Sequence, residues 1–328
     1  MMPLSYHIPE DPLLEYFFTS RNQTAEHVNQ LIEFGANVNA KNKNGVTPLL
    51  AAILCWNQKV EVIECLIANG ADVNAKNTND VTPLHSAMWN QKVEIVKCLI
   101  AHGADINAKD KDGLTPLNYA EKAEIAECLI THGVDINEKD EYGNTPLHLV
   151  KEAEVAECLI THGANVNAKN TKGRTPLHQP ATAGIVKCLI DHGADINAKD
   201  EDGKTALHLI VGFDFPHTIE SIKYLIDYGS DVNAKDKDGR TPLYYVNTAK
   251  IAESLISCGA DVNTKDAYGY TPLFFAKTAN VAECLIAHGA DINAKERYGE
   301  TVLDLAIRDN HSDIINCLKS HGAITSDV

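Results

Sequence analysis

Six Cys-x-x-x-His pairs run along the chain: Cys98/His102, Cys128/His132, Cys158/His162, Cys188/His192, Cys284/His288 and Cys317/His321. Residues four apart on a helix share a face, so each pair has the spacing of a metal half-site. Zinc needs three or four ligands converging on one point. Each pair supplies two, and the next pair begins 30 or more residues further on. No third ligand recurs with them. A separate role for each residue is simpler. The cysteine packs as a small hydrophobe. The histidine, in the last turn of a helix, meets its unpaired carbonyls and the negative end of its dipole. No metal site is expected.

A second set of histidines, His85, His148, His178 and His208, follows TPL or TAL. No Ser or Cys nucleophile with an acidic third member recurs around them, so they suggest no triad. The stretch AKDEDGKT (Ala198 to Thr205) imitates the end of a phosphate-binding loop. Its required first glycine is Ala198, and the motif fails. Carboxylates are everywhere, but no isolated pair sits in an apolar setting. Catalytic residues and cofactors are therefore both expected to be absent.

The elements that carry these residues are repeats. NAKDKDGLTPL (Asn107 to Leu117) returns as NEKDEYGNTPL ending at Leu147, NAKNTKGRTPL at Leu177, NAKDEDGKTAL at Leu207 and NAKDKDGRTPL at Leu243. A phrase recurring at a fixed period marks repeats of one supersecondary unit. Asp112-Gly113 signals a tight turn. Thr115-Pro116 starts a helix, the hydroxyl as cap and the proline in the first turn, where its missing N–H costs nothing. Glu124 to Ile130 is apolar at helical spacing, and Gly133 closes that second helix in the left-handed conformation. Each unit is turn, helix, turn, helix.

TPLH followed by GADxNAKDxxG resembles the ankyrin repeat, over roughly Leu13 to Ala323. The resemblance implies an all-α repeat solenoid, with helix-turn-helix units and β-hairpin or turn fingers in a single curved stack. Fingers and first helices would line its concave face. It also implies a protein-binding scaffold without catalysis, in which each TPLH histidine bonds the backbone of the neighbouring finger. Residues 1–40 read as an N-terminal capping repeat, 41–300 as the array and 301–328 as a C-terminal capping repeat.

The threonine of each TPL phrase falls at 47, 82, 115, 145, 175, 205, 241, 271 and 301, so the intervals are 35, 33, 30, 30, 30, 36, 30 and 30. The usual ankyrin period is about 33 residues. Five units are thus three residues short, and the loss falls before the second helix. Three residues is close to one helical turn, so the first helix of each short unit is predicted to be about a turn shorter. The longer units carry Cys55-Trp56, Trp89 and the insertion Val211 to His217. Pro180 and Gly184 interrupt another unit, which makes 180–217 the least regular stretch and a candidate contact loop or hinge.

A formal net charge of −16 argues against nucleic acid, which wants a basic footprint, and against anionic lipid. No stretch approaches 18 apolar residues, so no membrane span is expected. MMPLSYHIPEDPLLEYFF has neither a basic start nor a long apolar run, so no signal peptide is expected. Seven of the nine cysteines share one inward repeat position, which fits reduced core thiols in a cytoplasmic protein. A monomer with a protein partner is expected.

In ankyrin folds the finger tips, just before each Thr, project and vary. Here the early tips are bland (Thr78, Asn79, Val81), whereas the later ones bring Tyr and Arg. These types dominate interface hot spots because they combine contact area with a polar handle. The predicted partner-binding residues are Tyr142, Arg174, Arg240, Tyr268, Tyr270, Arg297 and Tyr298. Tyr244, Tyr245, Phe274 and Phe275 read mostly as filling between shortened first helices. Two alternatives stay open. One is an effector exported into a host cytosol by an intracellular organism. The other is a substrate of an asparaginyl hydroxylase at the repeated finger asparagines, Asn39 to Asn293.

Overall fold

A computed structural model describes residues 11–20, 22–55, 59–179 and 182–326. Trp56, Pro180 and the first ten residues, all singled out in the sequence, lie outside the described residues. Among the described residues there are sixteen α-helices, four short 3-10 helices and one isolated β-bridge, Lys295 to Thr301. This is an all-helical repeat solenoid. It divides into two compact units, one ending at Ala164 and the other starting at Asn165.

Apart from Pro12–Thr19, which starts on Asp11, the first helix of each repeat starts on a threonine in extended conformation. Thr82 accepts the N–H of His85, three residues on, and proline stands in the first turn. The length of that first helix follows the repeat length, except where the insertion after Ala206–Ile210 takes up the extra residues. Pro48–Leu54, Pro83–Asn90 and Val302–Arg308 hold seven or eight residues. In the 30-residue repeats the same element shrinks to three or four: Pro116–Tyr119, Pro146–Leu149, Pro176–His178, Pro242–Tyr245 and Pro272–Phe275. Four of these five are 3-10 helices, the form favoured for a single tight turn. The shortening takes a full turn from each, as the missing three residues require.

The second helix hardly changes, at nine residues in every described repeat except Thr218–Asp227, which holds ten. Ala123–Thr131, Ala153–Thr161 and Ala279–Ala287 each hold nine residues. Leu129, Leu159 and Leu285, at one shared register, are fully buried. Each second helix ends in a Schellman motif. At the end of Val93–Ala101, Gly103 N–H donates to Ile100 O at 3.0 Å and Ala104 N–H to Leu99 O at 3.0 Å, with Gly103 at φ +83°.

The insertion after the helix Ala206–Ile210 is an ordered turn. Phe215 N–H donates to Thr218 Oγ1 at 3.1 Å, and the Phe213 and Phe215 rings stack at 5.5 Å. Both rings are partly exposed, and the helix Thr218–Asp227 follows at once.

Candidate functional site

The fingers are turns held by their first residue. Asp110 accepts the N–H groups of Asp112 and Leu114 on one carboxylate oxygen, both at 3.0 Å. Its own N–H donates to Leu114 O at 3.0 Å, which closes the hairpin. Asp200, Asp236 and Asp266 repeat this arrangement. The glycine that follows has two reasons to be glycine. At Gly203 φ is +78°, and a Cβ would stand 2.9 Å from the backbone nitrogen of Lys237 in the next finger. That close approach lets the fingers bond to each other: Lys237 N–H to Asp202 O, Ala267 N–H to Asp238 O and Arg297 N–H to Tyr268 O, at 2.8–3.0 Å.

The second carboxylate oxygen of each finger aspartate takes a side-chain donor. Tyr119 OH donates to Asp110 at 2.6 Å, Asn144 to Asp140 at 3.0 Å, and Tyr245 OH to Asp236. Arg174 Nε donates to Asp200 at 3.1 Å and Arg240 Nε to Asp266 at 3.0 Å, each from the preceding finger. Burial, then the bonded carboxylate, pushes the Tyr119 and Tyr245 phenols up.

These bonds sort the seven predicted contact residues. Arg174 and Arg240 lie along the stack, tied to buried aspartates, and the Arg240 guanidinium also sits 4.4 Å above the Phe275 ring centre. Tyr270 is half-buried, with its ring edge-on to Phe274 and Phe275. Tyr268, Arg297 and Tyr298 stand together at the surface. The Arg297 guanidinium lies 5.5 Å from the Tyr268 ring centre and 5.4 Å from that of Tyr298. Tyr298 is 80% exposed and Tyr268 41%. Tyr142, 63% exposed, belongs to the other compact unit. Of the predicted space-fillers, Tyr244 is buried and donates its OH to Tyr270 O at 2.8 Å.

The two histidine sets serve the backbone. In all six Cys-x-x-x-His pairs the histidine Nδ1 bonds the cysteine carbonyl, at 2.7–2.9 Å, and so caps the helix C-terminus. Burial pushes the thiols of Cys65, Cys98, Cys128, Cys158, Cys284 and Cys317 up, away from the thiolate that metals and electrophiles require. Within either unit taken by itself, no three potential ligand atoms converge among the described residues. His85, His178 and His208 reach the carbonyls of Leu114, Lys204 and Arg240, each one finger ahead at 3.1 Å.

The finger asparagines form a ladder between repeats. Asn263 donates to Gly289 O at 2.9 Å and accepts from Asp291 N–H at 2.7 Å; Asn39, Asn74, Asn167, Asn197 and Asn233 make the same two bonds. No helix among the described residues is long and apolar enough to cross a membrane.

No curated protein matches the chain significantly. A family model, ankyrin repeats (3 copies), matches five overlapping stretches: residues 17–110, 54–140, 118–200, 180–266 and 245–327. With the fingers, caps and helix pairs described above, that match over nearly the whole length places the chain: it belongs to the ankyrin-repeat family.

Proposed function

We propose that the chain is a non-enzymatic scaffold that captures a partner protein on its finger tips, with the fingers of Tyr268, Tyr270, Arg297 and Tyr298 as the main contact. Ankyrin repeats are protein-interaction modules, and their members typically lack catalysis. The observation that carries the assignment is the exposed Tyr268–Arg297–Tyr298 group. The Arg297 guanidinium already lies over both rings, which reduces the side-chain freedom to be lost on binding. These rings fill no core, and Tyr and Arg are the side chains that most often carry interface energy. Arg174 and Arg240 support the fingers from within, and Tyr142 offers a separate exposed tip. No disulfide joins the cysteines among the described residues, which suits a reducing compartment such as the cytoplasm.

Changing Tyr268, Tyr270 and Tyr298 together to Ala tests this. Truncating a hot-spot residue costs about 2 kcal/mol or more, so the triple variant should lose its partner in pull-downs from native cells while its circular dichroism is unchanged. Retention of the same partner, with loss instead on changing the fingers before Thr82 or Thr115, would move the site to the other end of the array.

A further inference from the structure

One finger acid breaks the pattern. Glu296 holds the turn position of Asp110, Asp140, Asp200, Asp236 and Asp266, and its Oε1 accepts the N–H groups of Tyr298 and Glu300 at 2.8 and 3.0 Å. It is only 4% exposed. Its Oε2 is buried and has no hydrogen-bond partner. Every other finger acid receives a donor on that second oxygen from one of three register positions. The donor is an arginine 26 residues before the acid (Arg174, Arg240), a tyrosine nine after it (Tyr119, Tyr245) or an asparagine four after it (Asn144). At Glu296 those three positions hold Tyr270, Leu305 and Glu300. None of them donates to Oε2, and Glu300 adds a second negative charge.

A buried carboxylate oxygen without a donor is costly. The chain itself shows which group suits such an oxygen. Arg240 donates Nε to Asp266 while its guanidinium lies over an aromatic ring. Tyr270 stands where that arginine would, and burial, then the charge of Glu296, pushes its phenol up. Nearby, Arg297 is engaged over the two tyrosine rings and Arg308 on Glu300, which it meets at 3.0 Å. Neither arginine is within hydrogen-bond reach of Oε2.

We propose that the last finger is the docking point for an arginine side chain of the partner protein, which enters beside Tyr270 and donates to Glu296 Oε2 as Arg174 and Arg240 do within the chain. A planar guanidinium can donate in its plane to a carboxylate while its face lies flat on a ring, a geometry that an ammonium or a metal ion lacks. The net charge of −16 favours the approach of a basic segment. This rests on the reading that the C-terminal fingers bind a partner and names the partner's chemistry.

The probe is a fluorescein-labelled nine-residue peptide of alternating glycine and arginine, with neutral citrulline replacing arginine in its control, titrated onto the full chain. The arginine peptide should bind, and Glu296→Gln should weaken it at least tenfold. Asp313→Asn, which removes one exposed acid of the same repeat, should change binding less than twofold. Tyr270→Arg should abolish peptide binding and raise Tm, because the chain's own arginine then fills the position. Unchanged affinity in Glu296→Gln, equal binding of the citrulline peptide, or Tyr270→Arg that still binds the peptide without a rise in Tm would each overturn the proposal. If the triple tyrosine variant loses the native partner while Glu296→Gln leaves the arginine peptide unaffected, the finger surface stands and the arginine site falls. If the peptide needs Glu296 but the native partner ignores the tyrosines, the reverse holds.

Discussion

His85 Nε2 donates to the carbonyl oxygen of Leu114, 29 residues ahead, across 3.1 Å. The donor is fixed because His85 Nδ1 accepts the N–H of Thr82 at 3.3 Å. One neutral imidazole therefore caps its own helix and links its repeat to the next. Protonating Nδ1 would set two donors against each other at a buried site.

That geometry gives stability a pH dependence. Burial lowers the pKa of His85, His178 and His208, outweighing the bond each makes to the next finger's carbonyl. Below the ordinary histidine value of about 6.5 the unfolded chain takes up protons that the folded chain resists. The contribution is complete above that value and is lost as pH falls from there towards the folded-state values. Urea midpoints measured from pH 7.5 to pH 5.5 should fall. Asn118 already caps its helix at the same register, accepting from Thr115 N–H at 2.8 Å without titrating. Changing His85, His178 and His208 together to Asn should flatten the profile; an equally steep profile would place the titrating groups elsewhere.

Five repeats lack the imidazole, with Leu50, Asn118, Tyr244, Phe274 and Asp304 at its position, and two of these lack the hydroxyl's partner as well. Behind Tyr244 and Phe274 the hydroxyls of Thr241 and Thr271 are buried without a partner. Tyr244 keeps the link to the next finger through its OH, whereas Phe274 keeps neither bond. Phe274→His should restore both, to Thr271 behind and to the carbonyl of Glu300 ahead. A restored cap is worth about 1 kcal/mol, so Tm should rise by a few degrees in a thermal melt. A fall in Tm would mean that the ring contact of Phe274 with Tyr270, 5.2 Å between centres, contributes more than the cap.

Much of this was legible in the sequence, because repetition lets every unit confirm the next. Threonine, proline and glycine at fixed offsets have one structural solution each, and three missing residues before the second helix have one consequence. The direction of a tip side chain is not written in its position. Arg174, Arg240 and Tyr298 all sit near a turn glycine, yet the first two run along the stack to an aspartate 26 residues on while Tyr298 faces outward. The signal that separates them is joint. Asp200 and Asp266 have no tyrosine nine residues later, so their second oxygens are left for an arginine. By the same rule Glu296 stands out as the acid with no side-chain donor at any of the three positions, and only the fold shows that its second oxygen is buried.

The asparagine ladder supplies the last expected outcome, on how repeats are coupled. Asn263 makes two bonds to the next repeat, to Gly289 O and from Asp291 N–H. Gly289 closes a second helix, so this amide ties that helix end to the finger behind it. Asn293 makes one such bond among the described residues, accepting from Ile324 N–H at 3.0 Å. Each exposed bond contributes about 0.5–1.5 kcal/mol, because water takes the vacated groups. Asn263→Ala should therefore destabilise the chain by about 1–3 kcal/mol and Asn293→Ala by about half as much. Asn263→Asp keeps the acceptor for Asp291 N–H and loses the donor to Gly289, so it should fall between wild type and Asn263→Ala. In a linear array a weakened interface shows locally before it shows globally. Hydrogen exchange in Ala279–Ala287 should thus rise in Asn263→Ala, while Ala123–Thr131 keeps its protection. Equal losses in the two alanine variants would mean that the ladder acts through the finger's own turn and not through the repeat ahead.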